Sequence, residues 1–290
     1  MNLPAWSEWQ PVAPRLTVAP TVLAETLDGG QSFRWQQADD VWTGVWSEHV
    51  VRLRLDDSGL RWRAPKSPAP GTNEALTHYL AHKTDWAALT DSLPWRSDPH
   101  LATCIAAFPG LRILRQHFGE TLLGFLCSAT KQIVQIKQMV ALLAHRHGAE
   151  IAPGFHRLPT WAELADVPEK ELRQCLLGFR AKFIHATARY LAARPGWLEE
   201  TEPLPYAAAK ERLLELPGVG EKVADCVLLF GAGKLEAFPV DTWVLKSLAR
   251  RYHLPGWKPA QVAQFGRAHF GPLAGLAQQY LFSWERRFGG

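Results

Sequence analysis

The sequence is poor in cysteine. Its 290 residues include four, Cys104, Cys127, Cys175 and Cys226, far apart and with no CxxC pair among them. That spacing argues against a disulfide framework, a zinc site or an iron–sulfur cluster, and it favours a reducing compartment. Long apolar runs are missing as well. None reaches the roughly 18–20 residues that a membrane-spanning helix needs, so no membrane association is expected. The opening Met1-Asn2-Leu3-Pro4-Ala5-Trp6-Ser7-Glu8 lacks the basic flank and apolar stretch of a secretory signal, and an intracellular location is expected. There is no internal repeat and no low-complexity tail. Charge of one sign is scarce too: the formal net charge is +4, which suits nucleic acid but is common among mildly basic enzymes.

What is present is ordinary for a globular chain able to bury a sizeable core: 47% hydrophobic and 21% charged residues. Thirteen tryptophans are unusual, and core or interface side chains account for them. The first hundred residues read mainly as β. Segments 32–35, 41–46, 50–55 and 60–63 carry apolar and polar residues in alternation, and Asp39-Asp40 and Asp57-Ser58-Gly59 separate them as turns. This is the pattern of an antiparallel sheet with one face covered. Pro65-Lys66-Ser67-Pro68-Ala69-Pro70-Gly71 breaks both regular elements. From about Glu74 the period becomes helical, as in Leu111, Leu114, Phe118, Leu122 and Phe125, and again through 132–147, 169–193 and 206–216. The expectation is an α+β protein: a β-rich N-terminal region, 1–118, followed by a helical body, 119–290.

The segment Leu213-Leu214-Glu215-Leu216-Pro217-Gly218-Val219-Gly220-Glu221-Lys222 carries the chemistry. A helix must end before Pro217-Gly218, two glycines permit a tight turn, and a new helix starts near Glu221. The product is a helix–hairpin–helix near 206–252, whose uncovered amides at a helix N-terminus can hold a DNA phosphate without reading sequence. A nucleotide-binding P-loop is excluded by register and by the preceding helix. An ordinary glycine turn between packed helices stays open on these residues alone. Lys222 and Cys226 share a helix face, with Val223, Val227 and Phe230 assigned to the core. Further on, Val240-Asp241-Thr242-Trp243-Val244-Leu245 places Asp241 as an N-cap, with Val240 and Leu245 as a hydrophobic staple. A cap and a catalytic carboxylate are compatible, since a cap holds the group at a positive helix end. Lys222 on its own would be a solvated lysine. It stands just past a phosphate-binding turn and nineteen residues before that carboxylate.

Residues 213–248 resemble the helix–hairpin–helix–Gly/Pro–Asp superfamily of base-excision glycosylases, including the lysine of its bifunctional members. Gly29-Gly30-Gln31-Ser32-Phe33-Arg34-Trp35, Leu177-Gly178-Phe179-Arg180-Ala181-Lys182-Phe183 and the segment 271–282 are similar, in the same order, to the 8-oxoguanine DNA glycosylases.

That resemblance implies a duplex carrying 8-oxoguanine as substrate, with the damaged nucleotide flipped out of the stack. Lys222 would attack C1′ as a neutral amine, and the resulting imine would permit β-elimination; an arginine could not do this. Asp241 would stabilise positive charge on the sugar. The base would lie between Phe282 and Cys226 in a pocket with Pro239, and Gln278 would bond its Watson–Crick edge. The Gly30 carbonyl would accept from N7–H, which guanine lacks. The amides of Gly218, Gly220 and Val223 would hold a phosphate. Carbonyls of Leu214, Leu216 and Val219 could seat a monovalent cation, and no cofactor is required. Phe179 would wedge beside the orphaned base and Arg180 would read the opposite cytosine.

The chain departs from the family at Thr130-Lys131-Gln132, where asparagines fill the vacated stack, at Gln135, where a second arginine reads cytosine, and at Trp243, where a histidine contacts phosphate. The expected molecule is a monomer working with the DNA, in the nucleoid or the nucleus. Two alternatives remain: a water-using glycosylase for alkylated bases, against which Lys222 argues, and a non-catalytic hairpin protein.

Overall fold

Two-residue turns at Asp39-Asp40, Ser47-Glu48 and Asp57-Ser58 fold the alternating segments into consecutive hairpins. The computed structural model describes residues 4–289; the outer ends of the two expected regions, 1–3 and 290, lie outside the described residues. The strands are β1 (Gln10–Pro11), β2 (Trp35–Ala38), β3 (Val41–Trp46), β4 (His49–Asp56) and β5 (Gly59–Arg63). They form one antiparallel sheet in the order β1-β5-β4-β3-β2.

One face of this sheet buries Trp35, Trp42, Val51, Leu53, Leu60 and Trp62 against the helices Pro20–Asp28 and Thr72–Tyr79, through Leu23, Leu27, Leu76 and Tyr79. The other face carries Arg52 opposite Arg63 and Arg54 opposite Arg61. Like charges across a ladder repel. Here the indoles of Trp6 and Trp9 are interleaved with the guanidiniums, Arg52 lying 4.1 Å from the Trp6 centroid and Arg54 and Arg63 lying 4.4 and 4.5 Å from that of Trp9. The aromatic faces offset the repulsion and bind the N-terminal segment to the sheet.

The helical body is built around Phe118–Leu126, every residue of which except Glu120 is buried. The helices Arg180–Ala192 and Glu221–Phe230 pack on it, and the last helix, Ala274–Phe288, packs on Pro99–Ala107 and Thr242–Arg251. The helical core therefore takes in Leu101, Cys104 and Phe108 from the first part of the chain. Among the described residues no helix is long and apolar enough to cross a membrane.

Four expectations need correction. Pro20–Asp28 is a helix inside the region read as β, and Pro20 suits its first turn. The first long strand begins at Trp35, with Ser32–Arg34 outside it, and the edge strand β1 was not anticipated. Leu111 and Leu114 belong to an extended run rather than to the helix of Phe118. Gln31 holds that run, accepting from Leu114 N–H at 2.9 Å and donating to the Arg112 carbonyl at 2.8 Å. The stretch 169–193 is two helices joined by a bulge, with Leu176 at φ 62° and Gly178 at φ 56°.

Trp35 covers Gly44 across the β2–β3 pair. A Cβ at Gly44 would lie 2.5 Å from the Trp35 ring, which is itself buried and donates to the Tyr79 hydroxyl at 3.0 Å. Gly44→Ala is therefore expected to destabilise the chain by about 1–3 kcal/mol, the usual cost of overpacking. Urea unfolding measures it, and a midpoint equal to the parent's would contradict this packing.

Candidate active site

The hairpin is set by two glycines that serve different ends. The helix Tyr206–Leu214 stops before Pro217, and Gly218 turns the chain at φ 81°. A Cβ there would come within 2.6 Å of the Phe183 side chain, so a close approach and a left-handed backbone both demand glycine. Gly220 is open to solvent and begins the helix Glu221–Phe230 with no side-chain cap. The amides of Gly218, Gly220 and Val223 have no acceptor among the described residues. The two helices are clipped together by Lys210, whose Nζ lies 2.6 Å from Glu221 Oε2 and 3.0 Å from Asp225 Oδ1. Tyr206 donates to the same Asp225 oxygen at 2.7 Å.

Lys222 is half-buried on the first turn of its helix. Its Nζ donates to Ser128 Oγ at 3.1 Å and stands 4.8 Å from the centroid of the Phe125 ring. Asp241 caps the helix Thr242–Arg251, with Oδ1 accepting from the Trp243 and Val244 amides at 3.0 and 2.9 Å. Burial pushes the Asp241 carboxyl above the usual range, while the Val244 amide, the Lys222 ammonium and the Trp243 amide act the other way. The staple partners Val240 and Leu245 flank the cap, Val240 buried and Leu245 half-buried.

Gly30, Lys222, Cys226, Pro239, Asp241, Gln278 and Phe282 line a single cleft. Its open volume is about 40 Å³. That is room enough for a water molecule, which needs about 10–15 Å³ by this measure, but not for a purine. Gln278 donates to the Pro239 carbonyl at 3.0 Å, while its Oε1 is buried with no partner among the described residues. Burial drives the Cys226 thiol up to about 12 despite the neighbouring Lys222, so it presents an uncharged face. Gly30 has φ 111°, and a Cβ on it would lie 3.2 Å from Ile133 and 3.5 Å from the Phe282 ring.

The segment after Gly30 is anchored residue by residue. Gln31 ties to the 112–114 backbone, and its carbonyl accepts from the Gln116 side chain at 2.6 Å. Ser32 donates to the Leu27 carbonyl at 3.0 Å, Phe33 meets Phe125 edge to face, and Arg34 donates to the His156 carbonyl.

A second cluster adjoins the cleft through Ser128. Thr130, with φ 53°, Phe179 and Arg180 come together there. Phe179 is 52% exposed beside Leu176, whereas Arg180 is only 3% exposed. The Arg180 guanidinium stacks 4.5 Å from Phe179 and donates to the Ala129 and Leu177 carbonyls and to the Thr130 hydroxyl. In this conformation it holds the 128–130 loop rather than projecting outward. Gln135 is engaged in a capping box with Gln132. Trp243 is half-buried, with Lys246 Nζ 5.1 Å from its ring.

Sequence reasoning missed Phe125, Ser128, Phe230 and Gln279 as neighbours of the cleft. Phe230, expected in the core away from the site, lines the cleft; it lies four residues after Cys226, and that spacing puts it on the Lys222 face. No local signal marks Ser128, which reaches Lys222 across 94 residues. Among the described residues no three His, Cys, Asp or Glu side chains gather as a metal site.

A family model for the N-terminal domain of 8-oxoguanine DNA glycosylase matches residues 15–122, and one for the HhH-GPD superfamily of base excision DNA repair proteins matches residues 123–269. An N-glycosylase/DNA lyase of Arabidopsis thaliana is 33% identical over 297 aligned positions, covering 96% of this chain and 80% of that protein. An N-glycosylase/DNA lyase of Saccharomyces cerevisiae is 32% identical, covering 80% of this chain and 68% of its own. The crystal structure of the Clostridium acetobutylicum 8-oxoguanine glycosylase/lyase, in complex with duplex DNA containing cytosine opposite 8-oxoguanine, superposes with a TM-score of 0.85 at 31% identity over 92% of each chain. The cleft and the hairpin thus sit in a chain that belongs to the 8-oxoguanine DNA glycosylases of the helix–hairpin–helix–Gly/Pro–Asp superfamily.

Proposed function

We propose that this chain excises 8-oxoguanine from duplex DNA with Lys222 as nucleophile and then cleaves the strand. The observation that carries this reading is the meeting of Lys222, Asp241 and Gly30, from three distant segments, in one cleft. The nucleotide must leave the stack to reach that cleft, and the cleft must widen to admit it.

As a neutral amine, Lys222 Nζ attacks C1′; the C1′–N9 bond breaks and the base departs with that electron pair and takes up a proton. Asp241 faces the positive charge that develops on the sugar. Opening of the sugar leaves an imine between Lys222 and C1′. Loss of a 2′ proton then expels the 3′ phosphate, which is β-elimination.

Cys226 and Phe282 flank the base, Gln278 Oε1 takes a donor from its Watson–Crick edge, and the Gly30 carbonyl takes N7–H. A buried acceptor left unpaired by guanine is a sound discriminator. The amides of Gly218, Gly220 and Val223 hold a phosphate beside the lesion. Three carbonyls behind them suit a monovalent cation: those of Leu214 and Val219 receive no backbone amide, and that of Leu216 receives one, from Val219. Such an ion would hold the turn by oxygen contacts alone, and the chemistry needs no cofactor. Phe179 enters the gap left by the flipped nucleotide, Thr130 lies toward the opposite base, Arg180 reaches that base by releasing the 128–130 loop, and Trp243 stands where the next phosphate passes. The chain acts as a monomer in whichever compartment holds the DNA.

A water-using enzyme of the same superfamily has no need of an amine in the cleft, which is the ground for preferring lysine attack. Lys222→Gln is expected to abolish both base release and strand cleavage on an 8-oxoguanine duplex while leaving duplex affinity intact. Base release by that variant at the parent rate would assign the first step to water.

Asp241→Asn is expected to slow single-turnover excision by at least about 100-fold, the scale of one lost transition-state contact. Thermal melting should be followed alongside, because loss of the cap is worth about 1 kcal/mol. A drop in stability with no drop in rate would reduce Asp241 to a cap. Discrimination of the opposite base is expected to be shallow, since Gln135 and Thr130 replace side chains that would help read cytosine. Each missing base contact removes about 1–3 kcal/mol of preference. Excision opposite C, T, G and A measures it; a steep preference for C that depends on Gln135 or Thr130 contradicts the assignment, and a shallow one that disappears in Arg180→Ala supports it.

A further inference from the structure

An ion pair lies directly behind the two walls of the base pocket. Glu25 is on the helix Pro20–Asp28, five residues before Gly30, and Arg286 is one helical turn beyond Phe282 on the last helix. Arg286 Nη2 is 2.5 Å from Glu25 Oε2, with the Glu25 side chain 1% exposed. The carboxyl reaches the pocket loop itself: a Cβ on Gly29 would come within 2.5 Å of Glu25 Oε1, and the Gly29 amide donates to the Glu25 carbonyl at 2.9 Å. On the other side, the Arg286 guanidinium lies 6.0 Å from the centroid of the Phe282 ring. One interaction therefore joins the loop that carries Gly30 to the helix that carries Phe282. A second pair, Lys137 to Asp28 at 2.6 Å, anchors the same loop to the helix Ile133–His147.

The arrangement is an expensive way to pack two segments. Glu25 Oε1 and Arg286 Nε are buried with no hydrogen-bond partner among the described residues. Burial pushes the Glu25 carboxyl above its usual range, against the pull of Arg286 and of the nearby Ser283 hydroxyl, with which it makes no hydrogen bond of normal geometry. Apolar side chains of similar volume would serve packing as well or better. They would slide, however, and the recognition step depends on separation. A hydrogen bond from N7–H to the Gly30 carbonyl is made or lost over a few tenths of an ångström, and a misplacement of about 1 Å can cost about 100-fold in rate.

We propose that Glu25 and Arg286 are positioning residues for base recognition, their ion pair setting the distance between the Gly30 carbonyl and the Phe282 ring and hence the selection of 8-oxoguanine over guanine. The inference rests on reading Gly30 and Phe282 as walls of the base pocket. It assigns a specificity role to two side chains that touch neither the sugar nor Lys222.

The test compares two reactions of the full chain: single-turnover excision of 8-oxoguanine opposite cytosine, and strand cleavage at a preformed abasic site, which needs Lys222 but no base pocket. Glu25→Gln and Arg286→Met should each slow excision by about 10-fold or more, a partial share of the misplacement scale, and leave abasic-site cleavage at the parent rate. In a Lys222→Gln background, either change should narrow the affinity ratio between 8-oxoguanine and guanine duplexes. The apolar pair Glu25→Leu with Arg286→Leu should regain the parent melting temperature without regaining that ratio. Parallel loss of both reactions, no loss of either, or a double variant that recovers selectivity along with stability would overturn the proposal. Gln278→Ala and Phe282→Ala serve as controls on the pocket. If they leave selectivity intact, the pocket reading falls and takes the proposal with it; if they abolish it while the ion-pair variants do not, only the proposal falls.

Discussion

Asp241 is held in a place where burial opposes its charge, and the rest of the site is arranged to keep it there. Two amides at the start of the helix Thr242–Arg251 fix one oxygen, and Lys222 supplies the facing cation. Since burial raises its pKa, the ionised form costs stability at pH values above the usual carboxylate range, and the cap and the lysine offset part of that cost. The neighbours that could have eased the burden are absent by design of the sequence: Cys226 is an uncharged thiol and Phe125, Phe230, Pro239 and Phe282 are apolar. A largely apolar wall around a carboxylate and an amine would strengthen their interaction with charge developing between them.

The cleft depends on segments spread over most of the chain, so the fold is best understood as the means of bringing them together. The buried helix Phe118–Leu126 carries Phe125 beneath Lys222 and leads into Ser128, which receives the Lys222 ammonium. The extended run 111–117 connects layers: its Arg115 and Gln116 amides donate to the Tyr79 and Phe230 carbonyls, and Gln31 pins it to the Gly30 loop. These bonds are why the Gly30 loop and the helix that carries Lys222 share a frame. The cleft encloses about 40 Å³, less than a flipped base needs, and a side-chain or loop displacement, a common gating device in enzymes, would supply the room.

Much of this could be read from the chain because each motif residue has a local reason to be what it is. Gly218 answers to a left-handed turn and to Phe183; Asp241 answers to a cap and to a site; the alternation of 41–63 answers to a one-sided sheet. What escaped were features set by distant partners. Leu111 and Leu114 have helical spacing, yet Gln31 captures the Arg112 carbonyl and the Leu114 amide from 81 and 83 residues away. The bulge at Leu176 and Gly178 has no periodic signature and is visible only as backbone conformation. Ser128, and the inward turn of Arg180 toward Ala129 and Thr130, depend on tertiary approach.

The central claim is that one particular amine bonds to the sugar. The direct measurement is to mix the chain with an 8-oxoguanine duplex in borohydride, digest the reduced adduct, and map the modified peptide by mass spectrometry. The account predicts a stable protein–DNA adduct with the sugar remnant on Lys222. Base release without any adduct, or an adduct on another lysine or on the N-terminal amine, would contradict it.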